Sequence, residues 1–209
     1  MAESSHGTDR SVYTIGHSNH PLEDFIDLLK AHRVEMLVDV RSHPYTKYAK
    51  HFNKRILTAA VKAAGIKYQF AGKELGGQPE WEEFYDEDGY VLYFRIAESQ
   101  PFIDGISLIE EIMQKHRVAI LCSEENPSEC HRRLLVGRVL DEKGIKVLHI
   151  RKDGGINTEE ELRKVEAKKR GDNQLSLFEN SETIEWKSTQ SVLRKGPPDR
   201  PRPKKIPDK

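Results

Sequence analysis

Short apolar runs separated by amphipathic stretches constrain this chain more than any other feature. Val12–Gly16 (VYTIG), Met36–Val40 (MLVDV), Ile66–Phe70 (IKYQF), Arg117–Cys122 (RVAILC) and Lys146–Ile150 (KVLHI) have strand length. Between them, Pro21 to Arg33 places Leu22, Phe25, Ile26, Leu28 and Leu29 near helical spacing, with Pro21 suited to a first turn. Lys54–Ala64 reads as a helix closed by Gly65, and Tyr90–Ala97 and Phe102–Lys115 as two more. Ser128–Lys143 is a further helix, ending at Gly144. Strands alternating with helices require crossover connections and a parallel sheet. The expected fold is a Rossmann-like three-layer α/β domain with a mostly parallel sheet of about five strands.

Past Arg151 the pattern weakens. Thr158 to Lys169 predicts one charged helix, with Thr158 and Glu161 forming a capping box. After Gly171 the chain turns polar and then Pro-rich (GPPDRPRPKKIP), which predicts a flexible tail. The expected division is an α/β domain over 11–170 and a tail over 171–209. Lys and Arg together balance Asp and Glu at 34 each, so global charge argues for neither nucleic acid nor membrane. From Ser188 onward, however, seven Lys/Arg face only Asp199 and Asp208. Two cysteines imply no disulfide framework. With no apolar run of signal-peptide or membrane-span character, the cytoplasm is the expected location.

In open α/β sheets, ligands bind beyond the carboxyl ends of the strands. The first strand is followed by Gly16, His17, Ser18 and Asn19, and the second ends in Asp39, Arg41 and Ser42. After the third come Lys73, Glu74, Gly76 and Gly77. The fourth opens the densest stretch, from Cys122 through Glu124, Glu125 and Cys130-His131-Arg132-Arg133. Ser128 suits a helix cap. Cys130, His131 and Arg132 would then occupy a first helical turn, where free amides favour an anion and depress a thiol pKa. Cys122, closing an apolar strand, reads as packed.

Several chemistries fail on spacing. A phosphatase loop needs Arg at the sixth residue after Cys122, and Ser128 stands there. A structural zinc site favours paired ligands such as C-x-x-C, which are absent, so no cofactor is expected. A metal on Cys122, Cys130 and His131 stays open as an alternative. The deaminase signature is missing. Gly76-Gly77 is a turn signal and no phosphate loop. The stretch from Arg41 to Arg55 interleaves Arg41, Lys47, Lys50, Lys54 and Arg55 with Tyr45, Tyr48, His51 and Phe52. That mixture suits a nucleic-acid strand, with its phosphates and stacking faces.

The motifs TIGHS (Thr14–Ser18), LVDVRSHP (Leu37–Pro44), GIKY (Gly65–Tyr68), ELGG (Glu74–Gly77) and LCSEENPSECHRRLL (Leu121–Leu135) together resemble the domain-of-unknown-function 488 family. The resemblance spans residues 11 to 178. It implies the extent of the domain and a site built from His17, Asp39, Arg41, Cys122, Glu124, Cys130, His131 and Arg132. It supplies no reaction. Separately, Gln174-Leu-Ser-Leu-Phe178 is similar to the pentapeptide by which bacterial DNA polymerases and repair proteins bind the replication sliding clamp. Leu175, Leu177 and Phe178 would fill an apolar pocket while Gln174 fixes orientation.

The leading expectation is an enzyme that processes DNA or nucleotides in repair or replication, by N-glycosidic or phosphodiester chemistry. In that reading Asp39 or Glu124 serves as base or nucleophile, His17 or His131 as acid, and Cys130 as a reactive thiol. Arg41, Ser18, Arg132 and Lys73 hold substrate or phosphate. The alternatives are a non-catalytic DNA- or clamp-binding module and a Cys/His thiol or metal sensor.

Overall fold

Strand alternation in a two-sided sheet places every second side chain on the same face, and that rule organises the whole domain. A computed structural model of the chain describes residues 10–170 and 186–192. In chain order the elements are β1 (Ser11–Gly16), α1 (Leu22–Ala31), β2 (Met36–Asp39), α2 (Lys54–Ala63) and β3 (Lys67–Phe70). Then come β4 (Tyr90–Leu92), α3 (Tyr93–Ala97), α4 (Gln100–Met113) and β5 (Val118–Cys122). A π-helical stretch, Arg132–Gly137, runs directly into α5 (Arg138–Glu142). The remaining elements are β6 (Lys146–Ile150), β7 (Ile156–Thr158), α6 (Glu159–Arg170) and β8 (Lys187–Ser191).

The main sheet has the order β3-β2-β5-β1-β6-β7. All neighbours are parallel except β7, which folds back antiparallel on β6. The expected sheet of about five strands is thus present, with β7 as an added sixth. The order departs from the Rossmann 3-2-1-4-5 arrangement, because β5 is inserted between β2 and β1.

Ile15, Leu37, Ala119, Leu121 and Ile150 point to the face covered by α1, α2 and Phe52. Val12, Val38, Val118, Ile120 and Val147 point to the other, covered by Ile96, by Phe102, Ile106 and Ile109 of α4, and by Leu135, Val136 and Leu140. Each fully buried Val, Leu, Ile or Phe contributes about 1.5–3 kcal/mol, so both layers are firmly held. The same parity directs Thr14, Cys122 and His149 to the α4–α5 face and Asp39 to the α1–α2 face.

The helix following β1 lies on one face and the helix following β5 on the other, while the two strands are neighbours. The space just beyond their carboxyl ends is therefore the position where α/β sheets bind ligands. Across it the His17 amide donates to the Cys122 carbonyl at 3.0 Å and the Ser18 amide to the Ser123 carbonyl at 2.8 Å. A methyl group on Gly16 would collide with the Glu124 carbonyl, so the TIGHS glycine is what lets the two loops meet.

Three local expectations need correction. Tyr90–Leu92 is a strand rather than the start of a helix, because it pairs with β8, nearly a hundred residues downstream. Residues 187–191, expected in the tail, are that partner. Trp186 anchors them, its indole N–H donating to the Leu134 carbonyl at 2.6 Å and its ring lying edge-on to Tyr93. The helix expected from Ser128 begins later. Asn126, not Ser128, caps a short 3-10 turn over Pro127–Glu129, accepting from the Ser128 amide. Cys130 is extended and lies just ahead of the helix, its carbonyl accepting from the amides of Arg133 and Leu134. The capping box at α6 forms as expected, with Thr158 N–H donating to Glu161 Oε2 and Glu161 N–H to Thr158 Oγ1. Gln174–Phe178 lies outside the described residues.

Candidate functional site

A cavity of about 870 Å³ opens at the carboxyl edge. His17 and Ser18 come to it from β1, Arg41 and Ser42 from β2, Cys122 and Glu124 from β5, and His131 from the start of the π-helical stretch. Tyr45, Lys47 and Tyr48 contribute from the β2–α2 loop, and Ser188 and Gln190 from β8. Of the residues expected at the site, Asp39, Lys73, Cys130 and Arg132 do not line the cavity. Lys73 is exposed. The other three are buried and frame the cavity from behind.

Asp39 and Arg41 form one polar centre on the α1–α2 side. Arg41 donates through Nε to Asp39 Oδ1 at 2.8 Å, through NH2 to Oδ2 at 2.6 Å and through NH1 to the Phe52 carbonyl at 2.9 Å. Tyr68 donates its hydroxyl to Oδ2 at 2.6 Å, and the Arg41 amide donates to Oδ1. The carboxylate is thus saturated and wholly buried. Burial, then the neighbouring Asp39 charge, pushes the Tyr68 hydroxyl pKa well up, so it stays a donor. Asp39 is a framework residue here rather than a base within reach of the cavity. Arg41 keeps two N–H groups beyond those bonds, with its charge offset by Asp39.

Arg132 is 0% exposed. It donates to Thr14 Oγ1 at 3.3 Å, to the Glu125 carbonyl at 2.7 Å and to the Glu124 carbonyl. The guanidinium expected to hold phosphate therefore holds the β5 loop in shape. Thr14 Oγ1 in turn meets His149 Nδ1 at 2.8 Å, and His149 Nε2 meets Glu159 at 2.7 Å. Glu159 and Glu166 pair with Arg133. One continuous network thus ties β1, β6 and α6 to the base of the loop.

The second polar centre is the cluster of Cys122, Glu124, Cys130 and His131, whose donor atoms all lie within 4.8 Å of one another. Both thiols approach Glu124 Oε2, Cys122 Sγ at 2.9 Å and Cys130 Sγ at 3.1 Å. His131 Nδ1 lies 3.5 Å from Cys122 Sγ, and its Nε2 donates to the Val40 carbonyl at 3.1 Å. Glu124 is exposed as a residue while its Oε2 turns inward. Burial, then Cys130, raises its carboxyl pKa. Burial also pushes the Cys122 thiol well up. At Cys130 burial acts in the same sense, but the contact with Cys122 and the charges of Arg132 and His131 outweigh it and bring this thiol well below its usual value. Cys122, read as merely packed, belongs to this cluster and faces the cavity. Gly77 lies against the His131 side chain, where an added Cβ would strike the base of the imidazole. The second ELGG glycine thereby has a role beyond a turn.

His17 is 4% exposed and stacks on Phe52, ring centroids 4.4 Å apart. Its Nδ1–H donates to the Ser18 carbonyl at 2.8 Å, and Ser18 holds a left-handed φ of 43°, a conformation that costs a non-glycine residue on the order of 1 kcal/mol or more. Nε2 carries the lone pair, and among the described residues it is the one buried side-chain nitrogen or oxygen without a hydrogen-bond partner. Burial, then the Arg41 charge, lowers the His17 pKa to about 4, so the ring is neutral at pH 7. At the rim Tyr45 and Tyr48 are 77% and 82% exposed. Sequence reasoning missed the β8 contribution of Ser188 and Gln190, because KSTQS has no apolar alternation to mark a strand.

Fold and cavity together define an α/β protein with a side-chain-lined cavity where its parallel strands end. The family model described as "Domain of unknown function DUF488" matches residues 21–139, more than half of the chain, and the chain belongs to that family. No curated protein and no solved structure matches it. Among the described residues no helix is long and apolar enough to cross a membrane.

Proposed function

We propose that the cavity receives a nucleotide unit of single-stranded DNA or a free nucleotide and that the protein is a hydrolase acting on it. The observation that carries this reading is the rim, where two aromatic side chains stand largely exposed beside Lys47 at the mouth of the cavity. Exposed aromatics interleaved with cations stack bases and follow a phosphate backbone. Inside, Arg41 is charge-compensated and Arg132 is withdrawn. The interior therefore suits the uncharged base and sugar, with phosphates left to the basic rim, and this favours cleavage at the N-glycosidic bond over the phosphodiester. His17 Nε2 accepts a hydrogen bond from the substrate or from the attacking water. The Gln174–Phe178 pentapeptide would bring the domain to DNA through the sliding clamp.

The reading is tested with a fluorescent single-stranded oligonucleotide. Binding should weaken with rising salt, and Tyr48→Ala should weaken it further without loss of fold. Chromatography of the incubated oligonucleotide should show free base released by the wild type and not by His17→Ala. Salt-independent binding that ignores Tyr45 and Tyr48 would overturn the proposal.

A further inference from the structure

We propose that Cys122 Sγ, Cys130 Sγ, His131 Nδ1 and a carboxylate oxygen of Glu124 are the ligands of a zinc-type divalent cation. A tetrahedral zinc ion with bonds of about 2.0–2.3 Å separates its ligand atoms by about 3.3–3.8 Å. The cluster already has Cys122 Sγ and His131 Nδ1 3.5 Å apart, and each sulfur within 2.9–3.1 Å of Glu124 Oε2. An outward shift of a few tenths of an ångström opens these contacts to the edges of such a tetrahedron. The spacing C-x-E with C-H downstream hides the site from a C-x-x-C rule, because the ligands come from two loop segments rather than from one knuckle.

The surroundings match those of a metal-bound histidine. His131 Nε2–H donates to the Val40 carbonyl, so Nδ1, beside the Cys122 sulfur, is the ring nitrogen that can give up its proton for a metal ion. A backbone carbonyl on the second nitrogen is the usual way a ligating imidazole is oriented. Gly77 lies against the His131 side chain with no room for a Cβ, and Cys122 ends a wholly buried strand, so two ligands are set before any ion arrives. Two thiolates, a carboxylate and a neutral imidazole around a dication leave one net negative charge. Arg132, clamped on the Glu124 and Glu125 carbonyls, lies beside it to offset that charge. Soft sulfur and imidazole donors select zinc over magnesium or calcium.

Glu124 is the exposed member, and Cys122, Glu124 and His131 line the cavity. The bound ion would therefore border the space assigned above to substrate. With four protein ligands the ion has no open position, so when bound it would supply a fixed positive charge beside the cavity. It would offer Lewis acidity and a water of lowered pKa where Glu124 swings away and frees the fourth place. That catalytic consequence rests on the proposed function, whereas the ion site does not.

The test uses full-length protein produced in zinc-supplemented medium and dialysed. Elemental analysis should find one zinc per chain. Cobalt added to the metal-free protein should give the visible bands and sulfur-to-cobalt absorption of a tetrahedral thiolate site. Cys130→Ser and His131→Ala should each weaken cobalt binding by about 100-fold or more. Glu124→Gln, at an exposed position and therefore safest for the fold, should shift the visible bands. Folded wild-type protein that retains no zinc and gives no cobalt bands would overturn the proposal, as would a Cys122–Cys130 disulfide in its place. The oligonucleotide measurement with Tyr48→Ala is read separately, so loss of the metal site and loss of the nucleotide reading are distinguishable.

Discussion

Two polar centres flank the carboxyl edge of the sheet, and they are built to opposite specifications. On the α1–α2 side, Asp39 accepts from Arg41 and Tyr68 until its carboxylate has no capacity left. On the other side two thiols crowd one carboxylate oxygen, and between the two centres, stacked on Phe52, His17 Nε2 has no partner. Both are rich in the residue types that mark active sites. A buried charge with every hydrogen bond made is a fixed part of the framework. A buried acceptor left open, beside a cavity and next to strained backbone, is where the proposed ligand would complete the structure.

The comparison breaks most visibly at Asp39. Asp39→Ala strands the Arg41 guanidinium in the interior and should cost about 3–5 kcal/mol, read as a lowered urea midpoint. Glu124→Gln should change stability by about 1 kcal/mol or less in the same assay. Equal losses would erase the distinction between the centres.

Acid sharpens the contrast next. His17 titrates near 6.5 when unfolded and at about 4 in the native state. The unfolded chain thus takes up this proton first as pH falls. Its contribution is complete above pH 6.5 and is lost progressively toward pH 4, on the order of 3 kcal/mol in all. Burial also lowers the His149 and His20 pKa values, so the wild type should weaken further. The share of His17 is the difference between the wild-type pH profile and the flatter one expected for His17→Asn.

At the rim, Tyr45→Ala and Tyr48→Ala should each weaken single-strand binding by about 1–3 kcal/mol, measured by fluorescence anisotropy, with thermal midpoints nearly unchanged. A smaller effect is expected at Trp186→Ala. Losing the bond to the Leu134 carbonyl and the contact with Tyr93 should cost about 1–2 kcal/mol. It should also release β8 from the cavity wall, seen as faster amide exchange at Val91, whose N–H donates to Ser188.

The apolar runs made the parallel strands legible within a residue or two, because burial on both faces leaves β1, β2, β5 and β6 little choice of sequence. β7 and β8 escaped because INT and KSTQS are polar edge segments that owe their conformation to a partner strand. The convergence of His17, Cys122, Glu124 and His131 was legible from position alone, since each follows a strand end. What the chain order could not reveal was which charges would be consumed internally. Asp39 and Arg132 carry the chemistry of a catalytic pair, yet neither lines the cavity, because parity along β2 and the depth of the π-helical stretch turn them toward the framework. Cys122 is packed, as its place at the end of an apolar strand implies, and the same place also brings it to the cavity wall.

The open lone pair of His17 is the point on which the account rests most directly. Nitrogen-15 spectra of the imidazole rings, recorded with and without a saturating single-stranded oligonucleotide, examine it in place. The account predicts an unprotonated Nε2 in the free protein that shifts markedly on binding, as a donor reaches it, while the Asp39–Arg41 pair stays unperturbed. An Nε2 already protonated in the free protein, or one that ignores the oligonucleotide while Arg41 responds, would contradict it.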